Sequence, residues 1–108
     1  MTMNIQKMMQ QAQTMQTKMQ ELQERLAGVE VEGASGGGMV SIIMTCKGDV
    51  RKIRIDPSIV NPGDIETLED LVAAAVNSAR LKADETFAEE TQKMMNDMGI
   101  GGNTGLPF

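Results

Sequence analysis

From Ile5 to Leu26 the apolar residues fall at Ile5, Met8, Ala12, Met15, Met19, Leu22 and Leu26, with spacings of 3, 4, 3, 4, 3 and 4. That is the a/d repeat of a helix that lays a continuous seam on another helix, from the same chain or from a partner. No Pro or Gly interrupts it; Asn4 stands at an N-cap position and Gly28 where a C-terminal glycine belongs. The predicted helix covers residues 4–27 and is about 35 Å long. Methionines along the seam make the contact adaptable rather than stiff.

The period then changes. Val29-Glu30-Val31-Glu32 alternates strictly, which predicts a half-exposed strand over 29–33. Gly33, Gly36, Gly37 and Gly38 follow within six residues and are expected to reverse the chain as hairpin chemistry. Met39 to Cys46 is nearly all apolar and β-branched, the pattern of a strand covered on both faces. Lys47-Gly48-Asp49 is a second tight turn, and residues 50–56 alternate basic with β-branched side chains until Pro57 stops the ladder. The expectation is a three-stranded antiparallel meander with strands over 29–33, 39–46 and 50–56.

After a connector with two prolines, helical spacing returns over residues 64–98. Asp64, Glu66, Glu69 and Asp70 crowd the first turns, where the macrodipole favours acids. Ile65, Leu68, Val72, Ala75 and Ala79 form an apolar stripe broadened by Leu71 and Val76, and Ala73-Ala74-Ala75 permits close approach of another backbone. Beyond Arg80 the stripe thins to Leu81, Ala83, Phe87 and Met94, so the distal half is expected to project into solvent or to meet a partner. Residues 99–108 are Gly-rich and are expected to be a flexible tail. The fold class is α+β, with one domain over residues 1–98: a long N-terminal helix, the meander and a long C-terminal helix.

Composition modifies this picture in two ways. The 108-residue chain has eleven Met but only two aromatics, Phe87 and Phe108, so one protomer is short of large core side chains and an oligomer is favoured. The formal net charge of −5 argues against nucleic acid unless positive charge is locally concentrated. One cysteine excludes an internal disulfide, and no apolar run approaches the roughly 18 residues of a membrane span. With no signal-peptide core near the N-terminus, the expectation is a soluble intracellular protein without membrane partners.

Local concentrations of cations exist. Lys7, Lys18 and Arg25 lie 11 and 7 residues apart and therefore share one flank of the first helix, among Gln and Thr side chains. Such a flank can follow a phosphate backbone, or it is an ordinary solvated face. Lys82 and Lys93 repeat the eleven-residue spacing on the second helix, blunted by Glu85, Glu89 and Glu90. Lys47, Arg51, Lys52 and Arg54 place four of the ten cations within eight residues, with Lys52 and Arg54 on one strand face and Arg51 on the other. Protection of an edge strand by charge explains that cluster equally well.

Catalytic chemistry is not in view. There is no His, and the single Cys46 sits on a strand without a base to activate it, so zinc sites and nucleophile–His pairs are absent. The glycine run lacks the Lys and Ser/Thr of a phosphate loop, and its GxxG match to KH domains has no basic residue. Glu89 and Glu90 point in different directions on a polar helix face and are expected to be solvated surface. The chain is expected to act by interaction, with no enzyme activity, cofactor or small-molecule substrate.

Three stretches together resemble the YbaB/EbfC family of bacterial nucleoid-associated proteins: MMQQAQTMQTKMQELQERLAGVEVEGASGGGMV, VRKIRIDPSIV, and LEDLVAAAVNSARLKA. The tail ending in Leu-Pro-Phe is similar as well. The resemblance implies a cytoplasmic, nucleoid-associated homodimer that joins through its sheet region and projects its helices like tweezer arms onto double-stranded DNA. It makes Lys7, Lys18 and Arg25, then Lys82 and Lys93, the leading DNA-binding candidates, with Lys47, Arg51, Lys52 and Arg54 secondary. Val40, Ile42, Met44, Ile53 and Ile55 are the candidates for the dimer interface. The alternative is a protein–protein adaptor or chaperone-like dimer that uses the Met-rich helix.

Overall fold

A computed structural model describes residues 5–98. Helix α1 spans Ile5–Leu26, strands β1, β2 and β3 span Glu30–Ser35, Val40–Thr45 and Val50–Ile55, and helix α2 spans Ile65–Asp97. Single 3₁₀ turns occupy Gly36–Gly38 and Pro57–Ile59. The sheet is antiparallel in the order β1-β2-β3, so β1 and β3 are both edges. The α+β arrangement expected from the alternating and a/d patterns is therefore present. The proposed Asn4 cap and the Gly-rich tail at 99–108 lie outside the described residues.

The α2-facing side of the sheet is set by strand register. Gly33 stands opposite Ile42, Val31 opposite Met44 and Ser35 opposite Val40. Val40, Ile42 and Met44 pack with Ala75, Ala79 and Ala83 of α2 to form the main core, with Leu71, Val72 and Val76 at its margin. Small alanines bring the helix axis close to the sheet, and Gly33 completes the approach. A Cβ built on Gly33 would lie 2.7 Å from the Ala75 carbonyl oxygen and nearer still to the Ala79 backbone. Gly33 is thus a strand residue, as the strand expected over 29–33 placed it, selected for absence of a side chain rather than for the turn role also expected of it. The reversal falls to Gly36, Gly37 and Gly38, all left-handed with φ of 60°, 68° and 96°.

Two further expectations change. Within the protomer α2 covers one face of β2: Val40, Ile42 and Met44 are buried, whereas on the opposite face Ser41 and Ile43 are half-buried and only Thr45, beside the turn, is buried. A continuous apolar run does not separate one covered face from two, and within the protomer Ile43 has no layer above it. Gly28 does not adopt the left-handed conformation of a helix-ending glycine; the chain leaves α1 through Ala27–Gly28 with the Gly28 amide donating to the Arg25 carbonyl.

α2 has 33 residues and reaches well past the sheet. Asp64 caps its start, accepting from the Thr67 amide at 3.3 Å and from the Thr67 hydroxyl at 2.6 Å. Beyond Ala83 the helix runs antiparallel to α1. Leu22 and Leu26 of α1 are buried with Cys46, against Met19, Val29, Val31, Phe87 and Met94. That second cluster ties the C-terminal half of α1 to the sheet and to distal α2. Its N-terminal half continues uncovered, with Ile5 68%, Met8 49% and Met9 65% exposed. The molecule is accordingly elongated, 74 × 27 × 18 Å.

Candidate nucleic-acid interface

The α1–α2 arm positions most of the cations singled out by helical spacing. Lys18 and Arg25 of α1 and Lys93 of α2 line one groove, together with Glu21, Glu90 and Asp97. The groove is therefore balanced, three cations against three carboxylates. Its centre is Glu90, whose Oε1 lies 2.8 Å from Arg25 Nη2 and whose Oε2 lies 3.2 Å from Lys93 Nζ. Arg25 and Lys93 hold the Glu90 carboxyl below the usual carboxylate range by direct hydrogen bonding, Arg25 contributing more. Its side chain is only 19% exposed, against 56% for Arg25. Glu90 is thus an ion-paired residue between two helices rather than solvated surface. Its partner on the other helix is 65 positions away in the chain, which is why spacing within α2 does not disclose the pair.

The remaining helical candidates stand elsewhere. Lys7 lies further out along α1, at an opening shared with Gln10, Gln11, Thr14 and Met98. Lys82 sits on the β1 side of α2 among Glu32, Glu85 and Glu89. Three acids around one cation make Lys82 the least favourable of the five for a phosphate. The structure thus brings Lys18, Arg25 and Lys93 together and leaves Lys7 and Lys82 apart from them. No acidic residue occurs from Ile5 to Gln20, so that stretch of α1 carries Lys7 and Lys18 alone among charged groups, with Glu21, Glu90 and Asp97 reaching Lys18 from the groove.

The strand cations form a different surface. Ser41 opposes Arg54 and Ile43 opposes Lys52, which sets both cations on the sheet face away from α2. Arg51 falls at a register break, since Ile43 pairs with Lys52 and Met44 with Val50. Freed from the ladder, its guanidinium reaches the Ala27 carbonyl oxygen at 3.4 Å, just past the negative end of α1. Lys52 and Arg54 have no ion-pair partner among the described residues. Lys47 lies in the β2–β3 turn, exposed, its amide donating to the Thr45 hydroxyl.

The apolar candidates divide in the same way. Val40, Ile42 and Met44 are occupied by α2 of their own chain. Ile53 and Ile55 pair with Ile42 and Val40 and so share the α2-facing side, yet α2 does not extend over them, and they are 48% and 38% exposed. Cys46 is a free, buried thiol; burial pushes its pKa up, with a hydrogen bond to Thr86 opposing. The described residues contain no cluster of acids, Cys or His suited to a metal, and no helix long and apolar enough to cross a membrane.

Comparison with known proteins agrees with this architecture. The chain is 50% identical over 105 residues to a nucleoid-associated protein of Rhodospirillum centenum, covering 97% of this chain and 98% of that one. It is 48% identical over 99 residues to a nucleoid-associated protein of Nitrobacter hamburgensis, covering 92% and 93% respectively. Among solved structures, an uncharacterized Helicobacter pylori protein superposes with a TM-score of 0.73 at 22% identity, covering 87% of this chain and 99% of that one, a likeness of fold. The signature of the YbaB/EbfC DNA-binding family matches residues 1–98, and the chain belongs to that family.

Proposed function

We propose that the protein is a nucleoid-associated homodimer in the bacterial cytoplasm that binds double-stranded DNA with low sequence specificity, by contact rather than catalysis. The observation that carries this reading is the exposed flank of α1, where Lys7 and Lys18 stand among Gln and Thr side chains with no acid earlier in the helix than Glu21. Cations and neutral hydrogen-bonding groups on an exposed helix suit phosphate and sugar contacts, which position a protein without reading bases. Arg25 continues the same flank, and dimer symmetry doubles it. Residues 1–98 form the working unit, and Ile53 and Ile55 supply an apolar surface for the second protomer.

If four to six phosphates are neutralised per dimer, log K falls with log salt at a slope of roughly −4 to −5. Fluorescence anisotropy of a labelled duplex across a salt series measures this. A flat dependence, or no binding at low salt, refutes the reading.

The exposed seam of Ile5, Met8 and Met9 favours a second reading, a protein–protein adaptor that docks this helix on a partner. Pull-down from lysate with and without nuclease separates the two. A DNA-binding dimer loses most of its associated proteins after digestion, and an adaptor keeps them.

A further inference from the structure

We infer that Arg25 and Lys93 form a phosphate cradle spanning the two helices of the arm, and that the Glu90 carboxylate occupies it as a built-in competitor which DNA must displace. The inference rests on the DNA-binding reading above and adds to it a site and a control element.

Three observations support it. Glu90 uses both carboxylate oxygens, one on a cation from each helix, at 2.8 and 3.2 Å. An anion held by a guanidinium on one side and an ammonium on the other is in the environment a backbone phosphate takes. Secondly, the exposures run in the required order. Glu90 is 19% exposed, whereas the Arg25 and Lys93 side chains are 56% and 71% exposed, so the cations keep open sides from which an incoming phosphate can take them over. Thirdly, Lys18 lines the same groove and has no ion-pair partner among the described residues. With Glu21 and Asp97 also present, the lining is neutral; once Glu90 loses its charge or turns away, it becomes net positive. Ion pairs this exposed are weak enough to exchange partners. The competitor lowers affinity evenly for all sequences, because it acts on backbone contacts alone.

The test compares wild type with Glu90→Gln, an amide of nearly the same shape, and with Glu69→Gln as a control of equal charge change on an exposed site remote from the groove. Circular dichroism verifies that each variant is folded. Glu90→Gln is expected to bind duplex DNA about threefold or more tighter than Glu69→Gln, at a similar salt slope, because Arg25 and Lys93 meet phosphates in the complex of either form. A second measurement needs no DNA: the NMR signals of the Arg25 guanidinium and Lys93 ammonium under titration with inorganic phosphate. Saturable shifts in Glu90→Gln at millimolar phosphate, absent in wild type, support the cradle. Duplex affinity of Glu90→Gln equal to the control, or below wild type, together with no phosphate response, overturns the inference while leaving wild-type DNA binding in place. A phosphate response without duplex binding by any form keeps the cradle and removes the DNA reading.

Discussion

Gly33 of β1 and Ala79 of α2 touch backbone to backbone: the space a Cβ would fill at Gly33 is taken by the Ala79 backbone, with the Ala75 carbonyl oxygen 2.7 Å away. Neither atom belongs to a flexible side chain, so the helix itself must move to admit a methyl group. Gly33→Ala is expected to destabilise the protein by about 2 kcal/mol or more, beyond the middle of the usual overpacking range. Gly28→Ala is the internal control. Its added Cβ meets only the Arg25 carbonyl at 3.7 Å and its backbone is not left-handed, so stability is expected to stay within about 0.5 kcal/mol. Urea unfolding of both variants measures the difference.

Leu26 and Met8 both lie on the apolar seam of α1 but only Leu26 is buried, at 1% exposure against 49%. Leu26→Ala removes one of the two buried α1 side chains from the cluster that holds Cys46, Val29 and Phe87. A loss of about 2–5 kcal/mol is expected, with faster hydrogen exchange along the whole of α1. Met8→Ala should change stability by less than about 0.5 kcal/mol. Equal losses at the two positions would mean that the N-terminal half of the seam is covered in solution.

Period is what the sequence discloses well. The a/d spacing of α1, the alternation at Val29–Glu32 and the alanine-rich stripe of α2 each give one element, and local turns connect them. Contacts between distant positions are what period leaves out. Gly33 reads as the end of a strand and the first glycine of a turn, three residues before Gly36; only Ala75 and Ala79, more than forty positions later, give the reason for its missing side chain. The spacing of Ala75, Ala79 and Ala83 was the available signal, since small residues four apart mark a helix face that another backbone approaches. Glu90 was obscured for a similar reason. On α2 alone it is one acid among several, and Arg25 supplies its meaning from the other helix. The same holds for Val40, Ile42 and Met44, whose apolar pattern is identical whether α2 or a second chain covers them.

Ile53 and Ile55 extend the covered side of the sheet past the edge of α2. In the proposed dimer this strip meets the second protomer, so Ile53→Glu is expected to give a monomer by light scattering. Because the side chain is already 48% exposed within the protomer, unfolding of that monomer should differ from a dilute wild-type protomer by no more than about 0.5 kcal/mol. DNA affinity should fall with dimer loss, since half the phosphate contacts are removed. A variant that stays dimeric places the interface elsewhere, with the open face bearing Lys52 and Arg54 as the next surface to alter.

The arm pair also sets a pH dependence. Glu90 has its carboxyl held below the usual range by Arg25 and then Lys93, and Asp64 by the Thr67 hydroxyl and then its amide. For groups depressed on folding, the unfolded chain binds more protons in the interval between the two pKa values, so stability rises with pH there. Their contribution is complete above the ordinary carboxylate pKa of about 4 and is lost as pH falls through the lower folded value. Glu90→Gln cannot titrate and lacks this component. The melting temperature of wild type should therefore exceed that of Glu90→Gln by a constant margin from pH 6 to pH 8, and the margin should shrink as the pH drops below about 4. High salt should reduce the margin at neutral pH, because both cations are more than half exposed and screening reaches them. A margin that grows in acid would show that the charged carboxylate opposes the folded arm, and the pair would then be a strain rather than a support.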